Sequence, residues 1–496
     1  MNLSITYARA QLGIQAPLVT VETHLANGLP AFNIVGLPEA AVRESRDRVR
    51  SAIVNSHFDF PQRRITVNLA PADLPKAGGR YDLAIALGIL AASGQVPAEA
   101  LEHFEFIGEL ALSGSLRPIP GALPAAIACR QSGRTLVTAV ASGTEAALID
   151  TPVKSADTLL QVCAQLHGRE ALPNAVYTSG EETPPCADLA DVRGQLKARR
   201  ALEVAAAGSH NLLFYGPPGT GKTMLASRLP GILPPLRENE LIEVAALYSS
   251  AGLNRIQQRP FRAPHHSASP AALVGGGSNP RPGEISLAHR GVLFLDEMPE
   301  FPRSALEILR EPLENGEVRI SRARAQVTFP ADFQLVAAMN PCPCGYLGES
   351  RCRCTPDQID RYRNKLSGPL LDRIDMQVEV ASMSASQLQD APPGESSDVV
   401  RERVHTAREI QLQRQGKING ELKGAELDEY CRLGNMEAAL LRTSVEKLGL
   451  SARSYHRVLR VARTLADLSG RQDIGSAQIA EALAYRNLDR KSVMPA

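Results

Sequence analysis

The chain has 496 residues, which is too many for one hydrophobic core and predicts about two to four domains. Its 54 lysines and arginines nearly balance 53 aspartates and glutamates, so no overall field attracts it to nucleic acid or membrane. Any contact with nucleic acid must therefore come from local basic clusters. The eight cysteines do not form a secreted disulfide pattern, and neither a leader peptide nor a long apolar span is evident. We expect a cytoplasmic protein that does not enter a membrane.

The first region, residues 1–168, alternates short apolar runs with turn signals. The runs 65–69, 106–110 and 135–137 have the composition of strands. Residues 81–92 form an apolar stretch that predicts a helix. This region is therefore predicted to be a domain that mixes strands and helices.

Three further segments follow in the chain. Residues 169–190 contain adjacent prolines and acidic residues, which predicts a linker. Residues 191–380 predict a second α/β unit. In residues 396–496 apolar side chains recur at i, i+3, i+4 and i+7, which predicts a helical domain with one buried face.

The second unit contains a phosphate-loop motif. A glycine-rich turn follows the apolar run 212–215 and precedes a helix start, so its free backbone N–H groups can surround a phosphate chain. Lys222 is expected to reach the β- and γ-phosphates of a nucleoside triphosphate, and the Thr223 hydroxyl to ligate Mg²⁺. The residues predicted to bind nucleotide are Gly216, Pro217, Pro218, Gly219, Thr220, Gly221, Lys222 and Thr223.

Two later apolar runs end in polar side chains suited to hydrolysis. The run 291–295 ends in Asp296 and Glu297, at the carboxyl edge where open α/β sheets bind ligands. Asp296 would hold Mg²⁺ and Glu297 would deprotonate the attacking water, although an ordinary solvated strand end is the alternative. The run 334–339 ends at Asn340, which either positions that water or caps a turn.

Arg373 stands after a short Pro-Leu-Leu segment. An arginine at such a helix end suits a finger that reaches the nucleotide of a neighbouring subunit. The alternative is a local ion pair with Asp372 or Asp375. The residues alone leave both interpretations open.

The separation of Thr223 from Asp296 exceeds what one helix and one strand need. This predicts an inserted loop or hairpin, which we place at residues 262–285. The insert contains His265 and His266, which we expect to be ordinary loop residues rather than metal ligands, because no carboxylate or cysteine lies at ligand spacing.

A second candidate hairpin spans residues 318–328 and contains Arg319, Arg322 and Arg324. Period-two alternation places Arg322 and Arg324 on one face of an extended strand. Three arginines without nearby acids either contact the phosphates of DNA or belong to a solvated hairpin. The sequence alone does not decide between them.

Four cysteines follow Asn340 as two Cys-x-Cys pairs, at Cys342, Cys344, Cys352 and Cys354. Thiolates that converge from a turn predict a tetrahedral structural Zn²⁺ site. The spacing departs from the commoner Cys-x₂₋₄-Cys pattern, so free thiols are the alternative. A disulfide is not expected in a reducing cytosol.

Taken in order, these motifs resemble the YifB/ComM family of magnesium-chelatase-like AAA+ ATPases. The resemblance covers nearly the whole chain and implies a central AAA+ P-loop domain with a parallel sheet and a C-terminal helical lid. It also implies an N-terminal α+β domain of the Lon-protease type (ribosomal protein S5 domain 2-like). The matching segments are GPPGTGKT at 216–223, GVLFLDEMPEF at 291–301, EPLENG at 311–316, AAMNPCPCG at 337–345 and SGPLLDRID at 367–375.

The same resemblance assigns residue roles. Asn340 resembles sensor 1 and Arg373 resembles the arginine finger. Arg453 resembles sensor 2, and Arg457 is the second choice because helix register decides which side chain reaches the phosphates. Similarity to ring helicases with a hairpin before sensor 1 favours DNA contact by the three arginines of residues 318–328.

The resemblance further implies an ATP hydrolase that uses ATP and Mg²⁺ to drive a DNA motor. Such a motor would be a homohexameric ring acting on single-stranded, forked or branched DNA, with recombinase-pathway proteins as partners. Its task would be branch migration in homologous recombination and integration of DNA during natural transformation. The alternative is a chelatase-type remodelling ATPase that acts on a tetrapyrrole metal-insertion partner, where the Lon-like domain and the arginine hairpin have no evident role.

Two N-terminal segments, 67–83 and 108–114, resemble the Lon protease domain. In Lon the first segment carries the serine nucleophile and a later helix supplies its lysine. Gly79 and Arg80 stand where the serine is expected, and Ala125 stands in the lysine's place. A serine–lysine dyad needs a hydroxyl and an amine in contact, so we expect no peptidase activity.

The N-terminal region also carries the basic residues Lys76, Arg80 and Arg117. They are expected either to contact DNA or other subunits, or to be surface residues without a function. The sequence gives equal support to both expectations.

Overall fold

The computed structural model describes residues 2–36, 40–178, 186–253, 258–277, 280–322, 325–486 and 488. They form an N-terminal region of mixed strands and helices, a central parallel sheet and a C-terminal helical region, so the predicted fold class is confirmed. No helix in these ranges is both long and apolar enough to cross a bilayer.

The N-terminal region packs its two larger sheets around an apolar helix. Its elements are β1 (Leu3–Arg9), β2 (Leu18–Ala26), β3 (Ala31–Val35), α1 (Ala40–Asn55), β4 (Arg64–Ala70), α2 (Asp82–Ala92), β5 (Phe104–Phe106), β6 (Glu109–Leu110), β7 (Leu116–Arg117), α3 (Ala122–Gln131), β8 (Thr135–Ala139), α4 (Val140–Ala146), β9 (Val153–Ala156) and α5 (Leu159–Leu166). One of these sheets has the order β1-β2-β4-β3, the other is a parallel sheet of order β5-β8-β9, and β6 and β7 form a third sheet of two strands. Every residue of α2 is buried, because the helix packs on β1, β2 and α1.

One predicted strand of this region is interrupted. The run 106–110 divides into β5 and β6, because the backbone of Gly108 turns aside to bond the segment before α2. Its N–H donates to the Arg80 carbonyl at 3.1 Å, and its carbonyl accepts from the Leu83 N–H at 3.2 Å. These bonds fix the start of α2 against the strand end.

The central region contains the phosphate loop and the later motifs. Its elements are α6 (Leu196–Gly208), β10 (Leu212–Tyr215), α7 (Lys222–Ala226), α8 (Leu229–Ile232), α9 (Glu238–Ala251), β11 (Phe261–Arg262), α10 (Pro270–Val274), β12 (Gly275–Gly276), β13 (Arg281–Pro282), α11 (Glu284–Leu287), β14 (Val292–Leu295), α12 (Arg303–Ile308), α13 (Pro312–Asn315), β15 (Glu317–Arg322), β16 (Ala325–Pro330), β17 (Gln334–Met339), α14 (Pro356–Arg363), α15 (Gly368–Leu371), β18 (Met376–Glu379) and α16 (Ala385–Asp390).

The central sheet has the order β11-β14-β17-β10-β18, and each neighbouring pair is parallel. The strands β10, β14 and β17 are wholly buried, as expected for parallel strands covered on both faces. Because the strands are parallel, residues that follow β10, β14 and β17 gather at one edge of the sheet. We call this the carboxyl edge, and the opposite one the amino edge.

The C-terminal region is helical. Its elements are α17 (Ser397–Gln415), α18 (Ala425–Tyr430), α19 (Asn435–Leu448), α20 (Ala452–Leu468) and α21 (Ser476–Ala484). Helix α20 packs on α6, α17 and α21, and its apolar face joins the same hydrophobic cluster as the central sheet. Residues Val458, Leu459, Ala462, Leu465 and Ala466 are buried on that face.

Among the described residues, the N-terminal region touches the central region through the β1–β2 turn and through α3. Leu12 and Ile14, in the turn between β1 and β2, pack against the cluster that includes the buried side chains of β15 and β16. At the start of α3, the Gly121 N–H donates to the Ser249 carbonyl of α9 at 2.9 Å. The division at residues 169–190 stays a prediction.

Candidate nucleotide site

The phosphate loop connects β10 to α7, as the motif predicts. Gly221 precedes the helix with φ 90°, in the left-handed region that favours glycine. The buried Lys222 Nζ donates to the carbonyls of Gly216 at 2.7 Å and Pro217 at 2.8 Å. Burial lowers the pKa of Lys222, while the charges of Asp296 and Glu297 oppose that shift.

Asp296 and Asn340 lie beside this loop at the carboxyl edge. Asn340 directly follows β17, which pairs with both β10 and β14. Its Oδ1 accepts from the Lys222 Nζ at 3.2 Å. Asp296 directly follows β14, and its Oδ2 accepts from the Thr223 hydroxyl at 2.6 Å. A hydroxyl and a carboxylate in contact beside a phosphate loop are the oxygen ligands that Mg²⁺ prefers, so these two residues fit the cation.

Glu297 adopts an unusual backbone conformation. Its φ is 50°, rare for a residue with a Cβ, and its N–H donates to Asp296 Oδ1 at 2.9 Å. The carboxylate is about half exposed and lies 3.4 Å from the His266 Nδ1. The His266 ring in turn lies against His265, with centroids 4.1 Å apart.

His266 is a contact that the sequence interpretation missed. The pattern around the two histidines contains no acid at ligand spacing, and they were expected to be ordinary loop residues. Residues 263–269 follow β11, which pairs with β14, so the fold brings His266 beside the acid that follows β14. The proximity of His266 to Glu297 follows from the order of the strands in the sheet and cannot be predicted from the spacing of the residues in the sequence.

Arg373 lies at the amino edge, because it precedes β18 instead of following a strand. Its Nε donates to the Arg310 carbonyl at 3.1 Å and its Nη1 to the Pro369 carbonyl at 2.7 Å. Its Nη2 pairs with the Glu314 carboxylate. The local partner of Arg373 is therefore Glu314 and not Asp372 or Asp375, the acids that the sequence suggested.

Arg453 and Arg457 lie beside Arg373. Arg457 pairs with the buried Asp375, and Arg453 Nη1 lies 4.0 Å from Asp372 Oδ2. Burial raises the pKa of Asp375, but the Arg457 and Arg460 charges outweigh it and the net pKa is below its ordinary value.

A cavity of about 1130 Å³ lies between the central sheet and the helical region, and Arg373, Arg453 and Arg457 line it. No residue of the phosphate loop, 216–223, which is described throughout, is among its lining. The arginines predicted to serve the nucleotide are therefore gathered together, at the sheet edge opposite the phosphate loop of the same chain.

The cysteines converge. The sulfur atoms of Cys342, Cys344, Cys352 and Cys354 all lie within 4.8 Å of one another, and that of Cys342 is 3.4 Å from that of Cys344. Such a group fits a tetrahedral zinc site. It also touches the phosphate loop: a Cβ added at Gly345 would lie 2.6 Å from Pro218 Cδ.

The hairpin predicted at residues 318–328 is formed by β15 and β16. Val318, Ile320 and Phe329 are buried at its base, while Arg319 is exposed. The expectation of arginines without nearby acids is wrong for Arg319, because its Nη2 lies 3.7 Å from Glu317 Oε2.

The tip of this hairpin is only partly described. Arg322 ends β15 with its backbone paired to Ala325. Arg324 lies outside the described residues, so the shared face predicted for Arg322 and Arg324 stays a prediction.

The predicted insert at residues 262–285 contains the paired strands β12 and β13 between the short helices α10 and α11. The Arg262 guanidinium, at its base, donates to both Glu284 carboxylate oxygens at 2.7 Å. This bidentate pair closes the insert where it leaves the sheet.

Two of the N-terminal basic residues are not available to DNA. Lys76 and Arg80 are buried, and neither is the surface residue or the DNA contact expected for it. Arg80 Nη2 donates to the Pro120 carbonyl at 3.2 Å, which bridges the two segments where a protease dyad would lie. Arg117 is exposed and lies 3.5 Å from Glu109.

A phosphate loop after β10, an acid pair after β14 and a polar amide after β17, on a parallel sheet of this order, define a P-loop protein of the AAA+ class. Profiles described as magnesium chelatase, subunit ChlI, match residues 21–142 and 188–388, and one described as its C-terminal part matches 394–486. The chain is 54% identical to competence protein ComM of Haemophilus influenzae, over 99% of this chain and 98% of that protein. It is 51% identical to protein YifB of Salmonella typhimurium, over 99% and 98%. The chain belongs to the YifB/ComM family of magnesium-chelatase-like proteins.

A more distant similarity concerns Lon. The chain is 27% identical to Lon protease 2 of Bacillus subtilis over 33% of this chain and 34% of that protein. The similarities to ComM and YifB and to Lon protease 2 therefore agree with the two family resemblances identified from the sequence motifs.

Proposed function

We propose that this protein is an ATP-driven DNA motor that works as a ring of identical subunits, most simply a hexamer. The observation that carries the proposal is the division of the charged groups between two edges of one sheet. Strands of four residues separate the edges by about 13 Å, which is longer than an arginine side chain. Arg373 and Arg453 then serve the nucleotide of the next subunit, and the site is complete only in an assembly.

Within this site each residue has a separate task. Lys222 exchanges its bonds to loop carbonyls for the β- and γ-phosphates, and Asn340 fixes its direction. Thr223 and Asp296 hold Mg²⁺. Bound ATP supplies the phosphoryl group whose transfer to water releases free energy. Glu297, which is half exposed and next to Asp296, takes the proton of that water.

We propose DNA as the substrate along which the motor moves, because the β12–β13 and β15–β16 hairpins of the central region are not part of the nucleotide site. The β15–β16 hairpin presents the exposed Arg319, and Arg322 ends its first strand. We place this hairpin and the β12–β13 hairpin on the inner surface of the ring. With a near-zero overall charge, such a motor concentrates its basic groups where the strand passes.

The biological task we propose is branch migration in homologous recombination, including integration of DNA during natural transformation. The similarity over almost the whole length to a protein named competence protein ComM supports it. The substrates would be single-stranded, forked or branched DNA, and recombinase-pathway proteins would act with the motor.

A subunit-mixing experiment tests the shared site. Lys222→Ala subunits lack a nucleotide site but keep Arg373, whereas Arg373→Ala subunits have the reverse defect. Each variant alone should lose ATPase activity. A random equal mixture should recover about one quarter of the wild-type interfaces, and hence of the activity. A mixture as inactive as its parts contradicts a shared site.

The second test separates a DNA motor from a chelatase-type ATPase. ATP turnover should rise when forked DNA is added, and the same fork should be unwound only with hydrolysable ATP. If forked DNA does not change the rate of ATP turnover, the result would favour the remodelling of a tetrapyrrole partner. The match to the magnesium chelatase family is consistent with that alternative. Size measurement with nucleotide reports the number of subunits.

We also propose that the cysteine group holds a structural Zn²⁺. The converging sulfur atoms support it, and the reducing cytosol leaves such thiols free to bind. Metal analysis of purified protein should give about one zinc per chain, and Cys352→Ser should lower that value. Because Gly345 packs against Pro218, the zinc-depleted protein should also bind ATP more weakly. Full-length protein without zinc, yet with unchanged stability and ATP affinity, contradicts the proposal.

A further inference from the structure

The arginine finger is bonded within its own subunit. Beyond the carbonyls of Arg310 and Pro369, its guanidinium pairs through Nη2 with the Glu314 carboxylate. The side chain of Arg373 is only 12% exposed, whereas that of Glu314 is 60% exposed. We call the Glu314–Arg373 ion pair the latch.

The latch competes with the task proposed for Arg373. A γ-phosphate and a carboxylate are both anions that seek the outward N–H groups of one guanidinium. While Glu314 occupies Nη2, the finger cannot offer its full fork to a neighbour's nucleotide. The partner is exposed, so the pair is weak enough to open.

Glu314 lies at the root of the arginine hairpin. It belongs to α13, and the Gly316 N–H that follows donates to the Pro312 carbonyl at 2.8 Å. The Gly316 carbonyl accepts from the Ala331 N–H at 2.7 Å, and Ala331 directly follows β16. Gly316 therefore connects the helix that carries Glu314 to the base of the hairpin, directly before β15 and by a hydrogen bond to the residue after β16. A tilt of the hairpin would act on this helix through Gly316.

The same helix is also tied to the helical region. The Lys423 Nζ, just before α18, donates to the Glu314 backbone carbonyl at 3.2 Å. The latch consequently stands where the hairpin, the finger and the helical region meet.

We propose that Glu314 restrains Arg373 until a polyanionic strand displaces the β15–β16 hairpin, which releases the finger to the neighbouring nucleotide. This rests on the proposed function, because it assumes that the finger acts between subunits and that the hairpin meets nucleic acid. Glu314 would couple the position of the hairpin to the release of Arg373. It acts through Arg373 and is therefore a positioning residue, not a catalytic one.

The experiment measures ATP turnover with and without forked DNA in wild type and Glu314→Gln. Loss of a partly exposed ion pair should raise the DNA-free rate about two- to fivefold and leave the DNA-saturated rate nearly unchanged. The stimulation ratio should fall by the same factor. Glu307→Gln is the matched control, because Glu307 pairs with Arg310 at 2.7 Å, whereas the carboxylate that pairs with Arg373 is that of Glu314.

Mixed rings then locate the effect. Glu314→Gln placed in the Lys222→Ala subunit, which donates the finger, should raise the DNA-free rate when mixed with Arg373→Ala subunits. The same change placed in the Arg373→Ala subunit should have no effect. Thermal unfolding and ring size of each variant, compared with Glu314→Asp, establish that the variant folds and assembles.

The outcomes separate the latch from the motor. If DNA stimulates wild type and the plain mixture is active, but Glu314→Gln leaves the DNA-free rate unchanged, the latch is wrong and the motor stands. The latch is also wrong if the DNA-free rate rises when Glu314→Gln is placed in the Arg373→Ala subunit, which binds the nucleotide. An inactive plain mixture overturns the shared site, and the latch with it.

Discussion

The two edges of the central sheet are both rich in charge, yet they are organised differently. At the carboxyl edge the functional side chains contact one another: Lys222 bonds Asn340 at 3.2 Å and Thr223 bonds Asp296 at 2.6 Å. At the amino edge Arg373 and Arg457 are each held by an acid of their own chain, Glu314 and Asp375 respectively. The candidate nucleotide-binding residues of the carboxyl edge therefore contact one another within a single chain.

At the amino edge, the guanidinium groups of Arg373 and Arg457 form ion pairs with carboxylates of the same chain. An arginine that gives up such a partner needs another anion, and the described residues place no phosphate loop there. Under the proposed function, this difference means that half of the active site can be recognised only when a second copy of the chain is considered. Substitutions at each edge test whether the two edges have separate roles.

The largest effect is expected at the carboxyl edge. Glu297→Gln removes the base but keeps the size and polarity of the side chain, so ATP turnover should fall about 10²- to 10⁴-fold while ATP binding persists. Turnover and nucleotide affinity are measured separately. Glu300→Gln is the control, because Glu300 pairs with Lys365 on the surface. Equal loss in both variants would remove Glu297 from its role.

The second prediction compares the edges in nucleotide affinity. In dilute protein that does not assemble, Lys222→Ala should weaken ATP binding about tenfold to a hundredfold, because a buried ammonium beside the phosphates is lost. Arg373→Ala should leave this affinity unchanged, since it lies at the other edge. Calorimetry at low protein concentration measures both. A clear loss in the isolated Arg373→Ala subunit would contradict the division.

Much of the carboxyl edge could be predicted from the sequence. The phosphate loop, the acids after β14 and Asn340 after β17 each follow an apolar run, and parallel strands bring such ends together. Short-range chemistry and the parallel arrangement of the strands account for this edge, whereas the Lon-like, AAA+ and helical-lid identities of the three domains were implied by the family resemblance.

The amino edge was less predictable, because its contacts depend on tertiary packing. The sequence offered Asp372 or Asp375 as local partners of Arg373, but its partner is Glu314 on α13. Lys76 and Arg80 look like surface residues in a linear reading, and burial among backbone carbonyls cannot be read from spacing. Long-range pairing of this kind has no periodic signal.

A smaller effect is expected from His266, which links the insert after β11 to the acid after β14. His266→Asn should lower kcat about fivefold with KM unchanged, because a half-exposed contact that orients Glu297 is lost. His265→Asn, which keeps the His266–Glu297 contact but removes the ring beside His266, should have a smaller effect. A raised DNA-free rate would instead show that His266 holds Glu297 away from its water.

The smallest effect concerns the β15–β16 hairpin, which is connected through α13 to Arg373 at the amino edge. Arg319→Ala should weaken forked-DNA binding about threefold and reduce the slope of log affinity against log salt by about one, as the loss of one phosphate contact requires. Glu317→Gln should act in the opposite direction, since it frees Arg319 from an acid 3.7 Å away.

The salt slope matters more than the affinity in this comparison. A folding defect that lowers the active fraction of the protein would change the apparent affinity without changing the number of released counterions. Arg401→Ala, at a surface ion pair of α17, is the control for a lost positive charge far from the hairpin. If Arg319→Ala and Arg401→Ala give the same slope as wild type, the hairpin does not hold the strand. The latch would then lack the movement that opens it, even if Arg373 still serves its neighbour.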